Sequence, residues 1–197
     1  RNDKLKTNIN LKGKEILDQI KKEKLPVIFV SGHFSNFELM AMQIEKSGIN
    51  LAAIYRPLNN IFLNVLMERI RKKYICKNQI KKGTGGVREL LKLYKNGHSI
   101  ALMIDQRVRE GIKSKFFNEV AFTTTIPAQF IKKFNCKVVP IFIERYNGTN
   151  FNIIVQKPIE FSKDTSREKI TRELNIWLEE MIMKNPGKWI WSHDRWK

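Results

Sequence analysis

Two short runs of consecutive apolar residues constrain this chain more than any other feature. One is Val27-Ile28-Phe29-Val30, set between Pro26 and Ser31-Gly32; the other is Ile100-Ala101-Leu102-Met103-Ile104, which closes on Asp105-Gln106. A strand with one wet face alternates apolar and polar residues, whereas a run without alternation suits a strand covered on both faces. Strands of that kind belong to parallel sheets with helices packed on either side, so the rest of the chain must supply helices between strands.

It does so from end to end. Residues 26–31 read as the first strand, and a helix follows from 37 to about 46, closed by Gly48. Residues 51–55 and 59–73 repeat the pair, and the glycine-bearing loop 81–86 leads into a helix over 87–95 that Gly97 stops. After the strand 99–104 comes an irregular stretch containing Phe116-Phe117, and Pro127 suits the first turn of a helix that runs to about Phe134. Segments 137–144 and 150–156 flank Asn147-Gly148, a strong hairpin signal. A last helix over 165–184 carries Ile170, Leu174, Trp177, Leu178, Met181 and Ile182 at amphipathic spacing. The expected fold is α/β: a mixed, mostly parallel sheet flanked by helices, in one domain.

Charge narrows the partners. Lys and Arg number 37 against 19 Asp and Glu, a net charge of +18, and they are spread over an ordinary globular framework. An anionic partner is implied: nucleic acid, phosphorylated lipid, membrane surface or acidic protein. Cys76 and Cys136 stand alone, which excludes a disulfide scaffold and a cysteine zinc ribbon, and the three histidines lack metal-ligand spacing, so no metal site is expected. No apolar run reaches the length of a transmembrane helix. The chain opens on Arg1 and a charged segment, which reads as a start lacking its true N-terminus.

In open α/β sheets ligands bind beyond the carboxyl ends of the strands, so the strand-to-helix turns are where chemistry is sought. The first reads Ser31-Gly32-His33-Phe34-Ser35-Asn36-Phe37-Glu38. A histidine at a strand exit can accept a proton near neutral pH, and a carboxylate on its other ring nitrogen fixes the tautomer. His33 and Glu38 suit that pairing. Equally, Ser35-x-x-Glu38 is a capping box and His33 a turn residue. Arg56, after the second strand and before Pro57, suits an anion or a surface carbonyl. Lys82-Gly83 lacks a nucleotide-loop signature, and Asp105-Gln106 is either part of a site or a local cap. The C-terminal Trp189-Ile190-Trp191-Ser192-His193-Asp194-Arg195-Trp196-Lys197 alternates aromatic and cationic residues, suiting base stacking, a membrane interface or a core plug. No covalent nucleophile stands in a recognisable frame, so a base at His33 would activate a substrate hydroxyl.

In order, Gly32-His33-Phe34-Ser35-Asn36-Phe37-Glu38, Tyr55-Arg56-Pro57, Lys82-Gly83, Ile104-Asp105-Gln106 with Arg109-Glu110-Gly111, Phe116-Phe117, Val139-Pro140, Glu144-Arg145 and residues 186–197 resemble the lipid A biosynthesis acyltransferases of the lysophospholipid acyltransferase superfamily. The resemblance runs from about Leu25 to Lys197. It implies a glycerolipid acyltransferase-like fold and a single catalytic domain over 1–197 without its N-terminal membrane anchor. It also implies transfer of an acyl chain from acyl carrier protein to a hydroxyl of a Kdo-bearing lipid A precursor. His33 would be the general base and Glu38 its orienter, with Arg56, Lys82, Gly83, Asp105 and Gln106 on the substrates. No cofactor is implied beyond the carrier thioester. The expected partners are acyl carrier protein, the lipid A precursor and the anionic cytoplasmic face of the inner membrane. Ser35 stands where the family has glycine and is expected to cap the following helix; Asn118 replaces the glycine after the Phe-Phe pair. The alternatives are acylation of a lysophospholipid or another glycolipid, or, in a different class, a basic nucleic-acid-binding module. The last lacks a recognition motif, and no nucleic acid is expected.

Overall fold

The computed structural model describes residues 8–196. Arg1 and the charged opening through residue 7, together with Lys197 of the C-terminal motif, lie outside the described residues. The elements follow as β1 (Ile9–Lys12), α1 (Lys14–Glu23), β2 (Ile28–Ser31), α2 (Glu38–Lys46), β3 (Leu51–Tyr55), α3 (Ile61–Tyr74), β4 (Asn78–Lys81), α4 (Thr84–Lys95) and β5 (Ser99–Met103). Then come β6 (Ile112–Phe116), β7 (Glu119–Thr123), α5 (Ile126–Phe134), β8 (Val138–Tyr146), β9 (Asn150–Val155), α6 (Arg167–Lys184) and a 3-10 turn over Pro186–Lys188.

Seven strands form one sheet in the order β1-β9-β8-β2-β5-β3-β4. Every neighbouring pair is parallel except β8 and β9, which form the hairpin marked by Asn147-Gly148. The sheet is therefore mixed and mostly parallel, as expected. The two unalternating runs lie side by side at its centre: Ile28, Phe29 and Val30 pair with Ile100, Ala101 and Leu102, and all of β2 is buried. Each large side chain so buried contributes on the order of 1.5–3 kcal/mol. The long helix α6 is capped by Ser166, whose Oγ accepts from the Lys169 N–H at 3.1 Å, and it buries the six apolar residues read from its periodicity.

Five features differ from the sequence reading, the first being α1, a helix that the sequence reading does not place. β1 and β4 are additional strands at the two sheet edges; they are four residues each, and β4 (Asn-Gln-Ile-Lys) has too little apolar content to show a period. α4 starts at Thr84, three residues earlier than expected, within the glycine loop. The irregular stretch around Phe116-Phe117 is a separate antiparallel hairpin, β6 with β7. Its two-residue turn is Phe117-Asn118, with φ of 50° and 64°. Positive φ at both central residues is what a tight hairpin turn demands, and asparagine tolerates it as glycine does.

That hairpin is fastened to α6 by Asn175, a fully buried residue whose Nδ2 donates to Lys115 O at 2.9 Å, Ser114 Oγ at 3.2 Å and Thr123 Oγ1 at 3.3 Å. The C-terminal segment closes over the same hairpin. Arg195 is wholly buried, donating to Phe122 O at 2.7 Å and Thr123 Oγ1 at 2.6 Å, with its guanidinium over the Phe116 ring. Burial draws its pKa down to about 10. Of the three readings left open for the aromatic and cationic C-terminus, the core plug describes Trp189 and Arg195, while Trp191 stays exposed. Among the described residues, no helix is long and apolar enough to cross a membrane.

Candidate active site

The parallel strands β2, β5, β3 and β4 all end at one edge of the sheet, and a cavity of about 670 Å³ opens there. The turn after β2 delivers His33, that after β3 delivers Arg56, and that after β4 delivers Lys82 and Gly83. β5 is followed by Asp105 and Gln106. His33, Glu38, Arg56, Lys82, Gly83 and Gln106 all line the cavity; Asp105 lies behind His33, buried.

The carboxylate that holds His33 is Asp105, not Glu38. His33 Nδ1 lies 2.7 Å from Asp105 Oδ1, and the His33 backbone N–H donates to Oδ2 at 2.6 Å. Trp189 Nε1 donates to the same Oδ2 at 2.8 Å. Burial works against a charge on Asp105, but the His33 ring, the His33 backbone N–H and Trp189 overcome it, so the carboxyl titrates below its ordinary value and stays ionised at neutral pH. An ionised carboxylate only accepts hydrogen bonds, so Nδ1 carries a ring proton, and in the neutral imidazole Nε2 is the bare nitrogen. Gln106 Nε2, a donor, lies 3.4 Å from His33 Nε2 and agrees with that tautomer. A bare Nε2 beside an apolar cavity is a general base in waiting.

Glu38, expected as the orienter, instead accepts from Arg71 Nε at 2.6 Å. The reason is where the helix begins. Glu38 is the first residue of α2, and the preceding turn points its side chain toward α3, where Arg71 lies. The expected capping box is absent too: the residue before the helix is Phe37, with helical φ and ψ and no side-chain cap.

Ser35 explains why. Its φ is +43°, a left-handed conformation that suits glycine, and its buried Oγ has no hydrogen-bond partner among the described residues. The cap expected of Ser35 therefore does not form. Ser35→Gly is expected to raise stability by about 1 kcal/mol, because glycine adopts this conformation without the strain and leaves no hydroxyl unsatisfied. Urea denaturation with an unchanged slope checks it. Gly32 has a different role: a Cβ there would lie 2.9 Å from Leu178 Cδ1 and 3.2 Å from Asp105 Oδ2, so a larger residue would have to push the leucine aside and crowd the carboxylate.

The turn is also clamped from the far end of the chain. Ser35 N–H donates to Lys188 O at 2.8 Å, and Ile190 N–H donates to His33 O at 3.1 Å, on either side of the Phe34–Trp189 bridge. Arg145, from β8, bonds the Asn36 side chain. The sequence reading missed Trp189 as a site residue; its place beside basic and aromatic neighbours suggested several roles, and only folding brings its N–H to Asp105. Arg56 and Lys82 are exposed at the cavity mouth. The deeper walls are apolar: Ala41, Ala53, Ile75, Val87, Ala101 and Met103. Among the described residues, no group of His, Cys, Asp and Glu could hold a metal ion.

A central histidine and carboxylate over an apolar cavity, on a mixed sheet with helices on both faces, define an α/β fold of the acyltransferase kind. The chain belongs to the bacterial lipid A biosynthesis acyltransferase family, whose profile matches residues 1–197. It is similar to lipid A biosynthesis myristoyltransferase of Escherichia coli K12, with 21% identity over 96% of this chain and 59% of that protein. It is likewise similar to lipid A biosynthesis acyltransferase 2 of Shigella flexneri, at 21% over 96% of this chain and 61% of the relative. The Haemophilus influenzae lipid A biosynthesis acyltransferase is 24% identical over 89% of this chain and 57% of its own length. The chain thus spans about three fifths of the length of these relatives. Its fold is similar to that of PlsC, the 1-acyl-sn-glycerophosphate acyltransferase of Thermotoga maritima. The TM-score is 0.53 at 15% identity, over 93% of this chain and 74% of that one.

Proposed function

We propose that this chain transfers a fatty acyl group from acyl carrier protein to a hydroxyl of a Kdo-bearing lipid A precursor, at the cytoplasmic face of the inner membrane. The observation that carries the reading is His33, whose Nε2 is left bare by the Asp105 bond on the other ring nitrogen and faces a cavity with an apolar interior and a cationic mouth. The interior suits a hydrocarbon chain. Arg56 and Lys82 suit the phosphates of the acceptor or of the carrier's phosphopantetheine.

In the proposed reaction the acceptor hydroxyl gives its proton to His33 Nε2 as its oxygen attacks the thioester carbonyl. The tetrahedral intermediate collapses by breaking the carbon–sulfur bond, and the imidazolium returns the proton to the departing thiolate. Products are the ester and the carrier thiol, with no acyl-enzyme and no resident cofactor. Base catalysis contributes about 10²–10⁴-fold, and holding both substrates in the cavity supplies much of the rest.

The test offers acyl carrier protein thioesters with either a Kdo-lipid A precursor or lysophosphatidic acid. Ester formation on the precursor, lost in His33→Ala, supports the reading. Transfer only to lysophosphatidic acid replaces the acceptor, and transfer to neither overturns the function. One further outcome concerns chain length. Ala53 stands in register between Ala101 and Gln79, so two alanines form the cavity floor at that level. Ala101→Leu is expected to lower turnover of the longest accepted chain about tenfold or more relative to shorter ones, since a few misplaced methylenes cost ~1–3 kcal/mol.

A further inference from the structure

The helix α3 is built inside out. Its inner face presents Asn64, Met67, Glu68 and Arg71 to the protein, three of them polar, and none of its residues is fully buried. Asn64 Nδ2 donates to Glu68 Oε1 at 2.7 Å, Tyr55 OH donates to the same oxygen at 2.5 Å, and Arg71 bonds Glu38. The outer face carries Phe62, Leu66, Ile70 and Tyr74 at successive i+4 positions, with Ile61, Leu63 and Val65 beside them, all exposed; Phe62 is 88% and Ile61 77% exposed. A surface helix in water turns its apolar stripe to the core. Reversed amphipathicity of this extent suits a helix whose outer medium is not water.

The surrounding charge says what that medium is. Residues 56–82 contain eight basic side chains, Arg56, Arg69, Arg71, Lys72, Lys73, Lys77, Lys81 and Lys82, and one acid, Glu68. That acid is folded inward, where hydrogen bonds from Tyr55 and Asn64 and the nearby Lys81 ammonium hold it ionised. Arg69, Lys72 and Lys73 are exposed on the same helix as the apolar stripe. An apolar face with cations set among its apolar residues, and no exposed anion on the same helix, is a surface that suits the headgroup layer of an anionic bilayer.

We propose that the outer face of α3 is a membrane-binding surface that inserts Phe62, Leu63 and Leu66 into an anionic leaflet and sets the cavity mouth against the lipid. The placement follows from the chain itself: Arg56 at the mouth is joined to the helix by four residues, and Leu58 N–H donates to Asn64 Oδ1 at 2.9 Å, which ties the mouth to the helix. Arg71 of the same helix and Ile75, which follows its last residue, line the cavity. The proposal deepens the lipid-acceptor reading by giving the acceptor a route that never crosses water.

The test uses the 197-residue chain with Phe62→Cys carrying an environment-sensitive fluorophore, since Cys76 and Cys136 are both buried. With vesicles of phosphatidylglycerol and phosphatidylethanolamine the emission is expected to shift to the blue, and with phosphatidylcholine alone to shift far less. Phe62→Ser with Leu66→Ser is expected to weaken sedimentation with the anionic vesicles at least about tenfold, with the melting temperature unchanged because both sites are exposed. Lys72→Gln with Lys73→Gln is expected to weaken it several-fold and flatten its salt dependence. A label that stays in water, or a serine double variant that binds as well as the parent, overturns the proposal. So does a blue shift that grows with protein concentration in the absence of vesicles, which would make a second copy the occupant. Binding is read without acyl donor, so its failure leaves acyl transfer standing and the loss of acyl transfer leaves binding standing.

Discussion

His33→Ala is expected to reduce acyl transfer by roughly 10²- to 10⁴-fold, the range that a positioned general base contributes. Gln106 lies beside Nε2, but an amide does not take up a proton at neutral pH, so it does not replace the base. Alanine also strips Asp105 Oδ1 of the donor it now has at 2.7 Å, so some stability goes with the activity, about 1–3 kcal/mol for a buried carboxylate that loses a partner. His33→Gln separates the two effects. Its amide N–H reaches toward Asp105 while offering no base, so the rate falls as far as with alanine and the melting temperature falls less. Single-turnover measurement with a carrier thioester and circular dichroism on the same samples check both.

The second large effect is expected at Asp105, which acts by positioning His33. In Asp105→Asn the two N–H groups that converge on Oδ2, from His33 and Trp189, remain satisfied if the amide oxygen occupies that position. The amide NH₂ then faces His33 Nδ1 and forces it to accept, which moves the ring proton to Nε2. The base is lost by tautomer rather than by deletion, and a fall of roughly 10³- to 10⁴-fold follows, with the fold retained. Asp105→Ala leaves both N–H donors buried and unpaired, so it unfolds more readily as well. If Glu38 were the orienting carboxylate, Glu38→Gln would show the larger loss; the hydrogen bonds give the opposite order. The pH sign follows from the lowered pKa of Asp105. Its stabilising contribution is complete above the unfolded value of about 3.9 and lost only as pH falls through the lower folded value, so the parent and Asp105→Asn differ at neutral pH and converge in acid.

The central strands were legible because a strand buried on both faces writes itself as an unbroken apolar run, and β2 and β5 do so. The edge strands were not. β1 and β4 owe their conformation to a neighbour's open hydrogen-bonding edge, Phe151 to Ile154 for β1 and Ala52 to Tyr55 for β4, and no residue in Asn78-Gln79-Ile80-Lys81 says so. The hairpin at Phe116 was hidden by a bulky residue at positive φ, Phe117, where glycine or asparagine would have announced a turn. His33 could be singled out from its turn, but its partner could not. Glu38 is five residues away in sequence and Asp105 seventy-two, and sequence spacing favours the near carboxylate, whereas a parallel sheet places the ends of β2 and β5 side by side.

The clamp made by residues 186–195 has a consequence for how the protein comes into being. The histidine is made first, its carboxylate seventy-two residues later, and the tryptophan that steadies that carboxylate later still. A ribosome that has passed β5 has built the pair but not its brace. The geometry that leaves Nε2 bare is thus complete only after Trp189 has emerged and folded back across Phe34. A chain cut short ahead of Pro186 is expected to keep most of its sheet and lose the fixed imidazole, because the Trp189 N–H no longer holds Asp105.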